Sequence, residues 1–144
     1  MKIVTTGSEY IYTLAKHTLT NIHDGYLMGI SLISDDRLEL ELKCLSGERA
    51  KLVFPDLLTL VANDFRQGNI IDDINFYSSE EAPWDLVLQA YEIQEAEKQK
   101  YLPIYQRNLE TYNWTLLELT SSYGCDLLAL SKSPIKDIVI LSIE

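Results

Sequence analysis

Arg37-Leu38-Glu39-Leu40-Glu41-Leu42-Lys43-Cys44 decides the fold class. Leu38, Leu40, Leu42 and Cys44 alternate with Glu39, Glu41 and Lys43. Successive side chains of a strand point to opposite faces, so one face of this strand is apolar and the other charged. That is a half-buried strand of the kind antiparallel sheets allow. A helix would scatter the same residues around its axis.

Working outward, residues 26–33 alternate less cleanly, and Ser34-Asp35-Asp36-Arg37 carries turn chemistry; together they predict a hairpin. Ser46-Gly47 makes a second reversal, and residues 49–54 give a third strand that ends at Pro55. In residues 56–65 the leucines fit a short helix or a strand buried on both faces. The period does not separate these, and a strand, or a strand with an irregular turn, is the favoured reading. Gly68-Asn69 restarts the chain into a strand over 69–77, with Ile70, Ile74 and Phe76 on one side and Ile71, Asp73, Asn75 and Tyr77 on the other.

On the N-terminal side Ile11, Leu14, Ala15, Thr18 and Ile22 stand three or four apart and predict a helix capped by Ser8. Past Tyr77, Ser78 and Glu81 have capping-box spacing. Trp84, Val87, Leu88 and Tyr91 form a helical stripe over roughly 82–101, and Pro103 is expected to stop or kink that helix. A short helical piece over 104–112 follows. The tyrosines Tyr91, Tyr101, Tyr105 and Tyr112 fit either an exposed binding surface or rings packing helix onto sheet, and packing is the favoured reading. Strands over 114–119, 126–131 and 138–143 close the chain, with a turn at Ser121-Ser122-Tyr123-Gly124. The order predicts a single α+β domain over 1–144: a mainly antiparallel sheet, an N-terminal helix and a longer helix inserted before the last three strands. The lack of alternating βαβ units argues against a doubly wound parallel fold.

The chain holds 22 acidic against 12 basic residues, a net charge of −10. That balance argues against nucleic acid as a direct partner, because phosphate binding needs Lys and Arg, and against an anionic membrane surface. It favours attraction to basic partners. No secretory signal and no membrane-length apolar run is visible, so the expected location is the cytoplasm. Cys44 and Cys125 are too few for a disulfide framework and lack metal-ligand spacing.

Candidate chemistry is sparse. There is no phosphate-binding glycine motif. His17 and His23 have no partner at metal-ligand spacing. His23-Asp24 resembles acid/base machinery, but Asp24-Gly25 reads as a turn and His23 as locally bonded. Asp64 with Asp72-Asp73 lacks a calcium-loop pattern. Glu39 and Glu41 share a strand face, where cross-strand pairing with Arg49 or Lys51 is the favoured reading over glycoside chemistry. Ser121, Ser122 and Cys125 have no base positioned by the sequence.

His23-Asp24 before the hairpin, Ser46-Gly47, Asn63-Asp64-Phe65 with Gly68-Asn69-Ile70-Ile71-Asp73-Ile74, and Ser121-Ser122-Tyr123-Gly124 together resemble small bacterial immunity proteins of polymorphic or contact-dependent toxin systems. The resemblance spans residues 23–77 and 114–131. It implies a non-enzymatic α+β protein, without cofactor or metal, that binds the C-terminal domain of a secreted toxin. The acidity accords with a basic toxin such as a nuclease. Acidic and aromatic surface residues are then the expected contacts: Glu39, Glu41, Asp72, Asp73 and Tyr77. Rival readings are a small hydrolase using cleft carboxylates and an adaptor within a larger assembly.

Overall fold

A computed structural model describes residues 2–4, 14–15, 18–19 and 21–143. The strands are β1 (Lys2–Val4), β2 (Leu14–Ala15), β3 (Thr18–Leu19), β4 (Tyr26–Leu32), β5 (Leu38–Lys43), β6 (Arg49–Phe54), β7 (Leu57–Asn63) and β8 (Asn69–Ser78), followed after the helices by β9 (Thr115–Tyr123), β10 (Asp126–Ser131) and β11 (Val139–Ile143). The helices are α1 (Trp84–Ala90) and α2 (Lys98–Leu109). The sheet runs β1-β11-β6-β5-β4-β8-β9-β10-β7, with β2 and β3 attached beside β8. Apart from the parallel β1–β11 pair, the strand pairings described are antiparallel. The architecture is α+β.

The sheet has two wings. β4 pairs β5 along its length but meets β8 only at Tyr26–Ile70 and Leu27–Asn69. On one side of this corner lie β11, β6, β5 and β4; on the other lie β8, β9, β10 and β7. Their inward faces share one core: Leu38, Leu40, Leu42, Leu52 and Phe54 from the first wing, Ile71, Ile74, Phe76, Leu117, Leu119 and Leu127 from the second. The corner is riveted by the buried Asn69. Its Nδ2 donates to the Leu27 and Arg66 carbonyls, and its Oδ1 accepts from the N–H of Arg66 at 2.7 Å and of Cys125 at 3.1 Å. Both donors and both lone pairs of the amide are thus used.

The helices cover part of the second wing's outward face. Val87, Ala90 and Leu109 pack with Trp114, Leu116 and Leu130, while Tyr77 and Leu128 border the cluster. Trp84 and Trp114 meet edge-on at 5.5 Å, and Tyr91 stacks on Tyr105 at 4.3 Å, joining α1 to α2. The helices therefore pack on their own sheet. Among the described residues no helix is long and apolar enough to cross a membrane.

Several expectations need correction. Of the N-terminal helix, Ser8, Ile11 and most of its neighbours lie outside the described residues. Leu14–Ala15 and Thr18–Leu19 are extended and pair with each other, because Leu19 and Ile22 bury into the core from strand and turn. The single helix over 82–101 is two. Pro83 stands at the start of α1 in place of the Ser78 cap. α1 then stops where Glu92 takes φ 58°: Glu92 N–H bonds Gln89 O and Ile93 N–H bonds Leu88 O, a Schellman stop with glutamate where glycine is usual. Pro103 lies inside α2 and does not end it. The Ser121–Tyr123 segment remains strand, and the reversal falls at Gly124, φ 88°. Residues 57–63 are strand, β7, as favoured.

In β8 the expected alternation breaks. The register to β9 slips around Ile71 and Asp72, a bulge that resets side-chain parity. Ile71 therefore joins Ile74 and Phe76 in the core.

Candidate functional site

Charge divides the two wings. The sheet's acids on the first wing, Glu39 and Glu41, project outward from β5 and are met by cations. Glu39 lies 3.5 Å from Lys51 and 3.7 Å from Arg37, and Glu41 pairs with Arg49. This is the cross-strand pairing favoured by the sequence, and the solvent-facing Glu41–Arg49 pair is energetically modest. Gly29, opposite Glu41 in the register, leaves room for its side chain.

The strands of the second wing supply no such cations. β7, β8, β9 and β10 carry Asp72, Asp73, Glu118 and Asp126 and not one Lys or Arg. Cross-strand register lines the residues up: Asp73 opposite Thr120, Asn75 opposite Glu118, Asp126 opposite Asn63. Thr120 Oγ1 accepts from the Asp73 N–H at 3.2 Å, and Thr18 donates to Asn75 at 2.8 Å. The apolar half of this face is under the helices; the acidic half, among the described residues, is not covered by them.

Where the two halves meet, α1 and the sheet leave a cleft of about 320 Å³. Leu86 and Gln89 of α1 form one side; Val61, Asn63, Glu118 and Asp126 line the sheet side. The Tyr77 hydroxyl donates to Glu118 Oε1 at 3.1 Å. Burial and then the Glu118 charge raise the Tyr77 pKa, which keeps it a donor. Asp126 Oδ1 accepts from Ser121 N and Oγ, both at 2.9 Å. Both carboxylates are thus oriented by their own neighbours, with aliphatic side chains between them. A partially enclosed acid site of this kind suits a cationic side chain, whose methylenes pack while its head is neutralised.

The β8 bulge organises a second feature. His23 Nδ1 lies 2.7 Å from the Asp72 carbonyl oxygen and 3.4 Å from Asp72 Oδ1, and Nε2 is 3.7 Å from Asp24 Oδ1. The hydrogen bond to Asp72, then the Asp24 charge, raise the His23 pKa. Both ring nitrogens face groups of this chain, so His23 bonds locally, as its turn context implies. Asp24 takes φ 63° and its N–H bonds the Ile71 carbonyl, which fixes the turn to the bulge.

The five residues singled out by sequence do not form one surface. Glu39 and Glu41 lie on the outward face of the first wing, Asp73 and Tyr77 on that of the second, and Asp72 in the bulge. Glu118 and Asp126 were missed. The available signal was the absence of cations from four successive strand segments, which no single motif displays. Among the described residues, no three His, Cys, Asp or Glu side chains gather as metal ligands. No protein-family model matches the chain, and searches of curated proteins and of solved structures return no similar protein.

Proposed function

We propose that this is a cytoplasmic binding protein of the immunity type, which neutralises a cognate toxin by seating a basic surface of the toxin domain on the acidic half of the second wing. It performs no catalysis and uses no cofactor. The observation that carries this reading is the cation-free acidic face of β7–β10 beside a cleft, on a sheet whose other acids are paired. Such a field steers a basic partner and accelerates encounter.

The test is capture from the host lysate followed by growth rescue. The expected prey is the C-terminal domain of a secreted toxin, and co-expression relieves its toxicity. Asp73→Lys with Glu118→Lys then lowers affinity by about tenfold or more, whereas Glu41→Lys changes it little, as expected when a desolvated interface charge is compared with a paired surface one. Equal loss from both faces, or toxicity unrelieved by the protein, overturns the proposal.

One observation favours an adaptor instead. Met28, Leu32 and Ile33 are about half exposed, at 49%, 57% and 48%, along and just past β4. A stable assembly covering them would be seen as a stoichiometric complex at the first purification step.

A further inference from the structure

We infer that the outer edge of β7 is a strand-docking site for an extended segment of a partner protein, apolar in its middle and carrying Lys or Arg at the end that lies beside Asn63. β7 ends the strand order, and among the described residues its strand partner is β10 alone. Sheet edges expose unpaired N–H and C=O groups, and proteins blunt them with charge, proline or shortness. The opposite edge strand, β1, is three residues long and includes Lys2. β7 is seven residues, Leu-Leu-Thr-Leu-Val-Ala-Asn, with neither charge nor proline. Its first turn of chain is closed: Leu57 N–H donates to the Asp36 carbonyl at 2.7 Å, and the register to β10 skips Leu58. The available edge is therefore residues 59–63. α1 does not bar it, since the bond from Thr59 Oγ1 to the Ala90 carbonyl holds the helix over the outward face.

Charge selects the occupant. Val61 and Asn63 of the edge also line the acidic cleft, and Asp126 stands opposite Asn63. Asp64 follows directly after the strand. A second copy of this chain, with net charge −10, would lay another cation-free face beside the first, so self-pairing is opposed. An incoming strand that lays its backbone on residues 59–63 brings its end at Asn63 beside Asp64, Asp126 and the cleft, so a Lys or Arg is selected at that end. A probe with Lys at both termini meets these acids in either strand direction. Main-chain bonds supply affinity in such an arrangement and side chains supply selection. The inference rests on the binding-protein reading for the sign of the partner's charge.

The probe is the peptide Lys-Val-Thr-Val-Thr-Val-Lys, added to the full chain and followed by backbone amide NMR and hydrogen exchange. Perturbation and new protection centred on 59–63 are expected. A version N-methylated at alternate residues, a version with Glu at both ends, and the exposed-site variant Ala62→Lys should each bind about tenfold more weakly, or roughly 1.4 kcal/mol. Shifts confined to other strands, or an N-methylated peptide binding as well as its parent, overturn the inference. Toxin capture reads the immunity proposal separately: a failed capture with an occupied edge would sink that reading and leave this one standing.

Discussion

His23 holds the bulge of β8 by the main chain of the residue that makes it: Nδ1 is 2.7 Å from the Asp72 carbonyl oxygen, while Nε2 of the same ring faces the Asp24 carboxylate at 3.7 Å. Protonation strengthens both contacts, so the folded state holds the proton more tightly than the unfolded chain, whose value is near 6.5. The stabilising contribution is full below that value and is lost as pH rises through the higher folded pKa. An NMR titration of the imidazole, with His17→Gln for assignment, should place His23 above 6.5, and Asp24→Asn should bring it back toward that value. A midpoint at or below the ordinary one would falsify the arrangement.

Tyr91 offers a second titration. Burial, and then the neighbouring Tyr105, push its hydroxyl up to about 12. Here too the folded state retains the proton, so the contribution persists below the ordinary value of 10.0 and disappears between there and about 12. Alkaline difference spectroscopy should show a tyrosine phase ionising at about 12 that is lost in Tyr91→Phe. If that variant leaves the late phase in place, the Tyr91–Tyr105 stack is not its source.

Asn69 ties three segments at the corner between the wings. Asn69→Ala removes the acceptor from the N–H groups of Arg66 and Cys125, and a buried unsatisfied group costs about 1–3 kcal/mol. Denaturant unfolding should show a loss of about 2–4 kcal/mol on that basis. Gly124→Ala should be costly for a linked reason, since Gly124 has φ 88° and a side chain there would run into Asn69. A loss under about 0.5 kcal/mol in both variants would mean the corner is held by something else.

Phe76 and Tyr77 are neighbours in sequence on opposite faces of β8. Phe76 is 1% exposed within the shared core, so Phe76→Ala should cost about 3–5 kcal/mol. Tyr77→Phe keeps the ring and removes only the hydroxyl bonded to Glu118, about 0.5–1.5 kcal/mol. Thermal melts of the pair read the difference directly; comparable losses would contradict the face assignment.

Legibility followed the range of the physics. β5 was readable because its alternation meets a sheet with one wet face, and Leu38, Leu40 and Leu42 are all fully buried. Its turns were readable too: Gly47 takes φ 101°, and Ser34 takes φ 67° and donates to Asp36. The α1 stop was hidden because glutamate, not glycine, occupies the left-handed position at Glu92. The β8 bulge was hidden because Ile70 and Ile71 are both apolar, and only pairing with β9 chooses which of them enters the core. Two of the candidate site residues, Asp73 and Tyr77, fall on the open second-wing face; Glu39 and Glu41 were separated from them by a sheet corner that leaves no local mark.

By itself, then, the amino-acid sequence determined the α+β class, the central hairpins, the apolar side of β5 and the excess of negative charge. These depend on side-chain alternation, turn residues and composition, all local or additive quantities. Only the tertiary structure decided that Asn69 closes the corner, that Glu39 and Glu41 meet Lys51 and Arg49 while, among the described residues, Asp73, Glu118 and Asp126 meet no Lys or Arg, and that Glu118 and Asp126 share a cleft beneath α1. Those outcomes depend on which strands become neighbours, and neighbours are chosen by the burial of one shared core across residues as distant as Leu38 and Leu127.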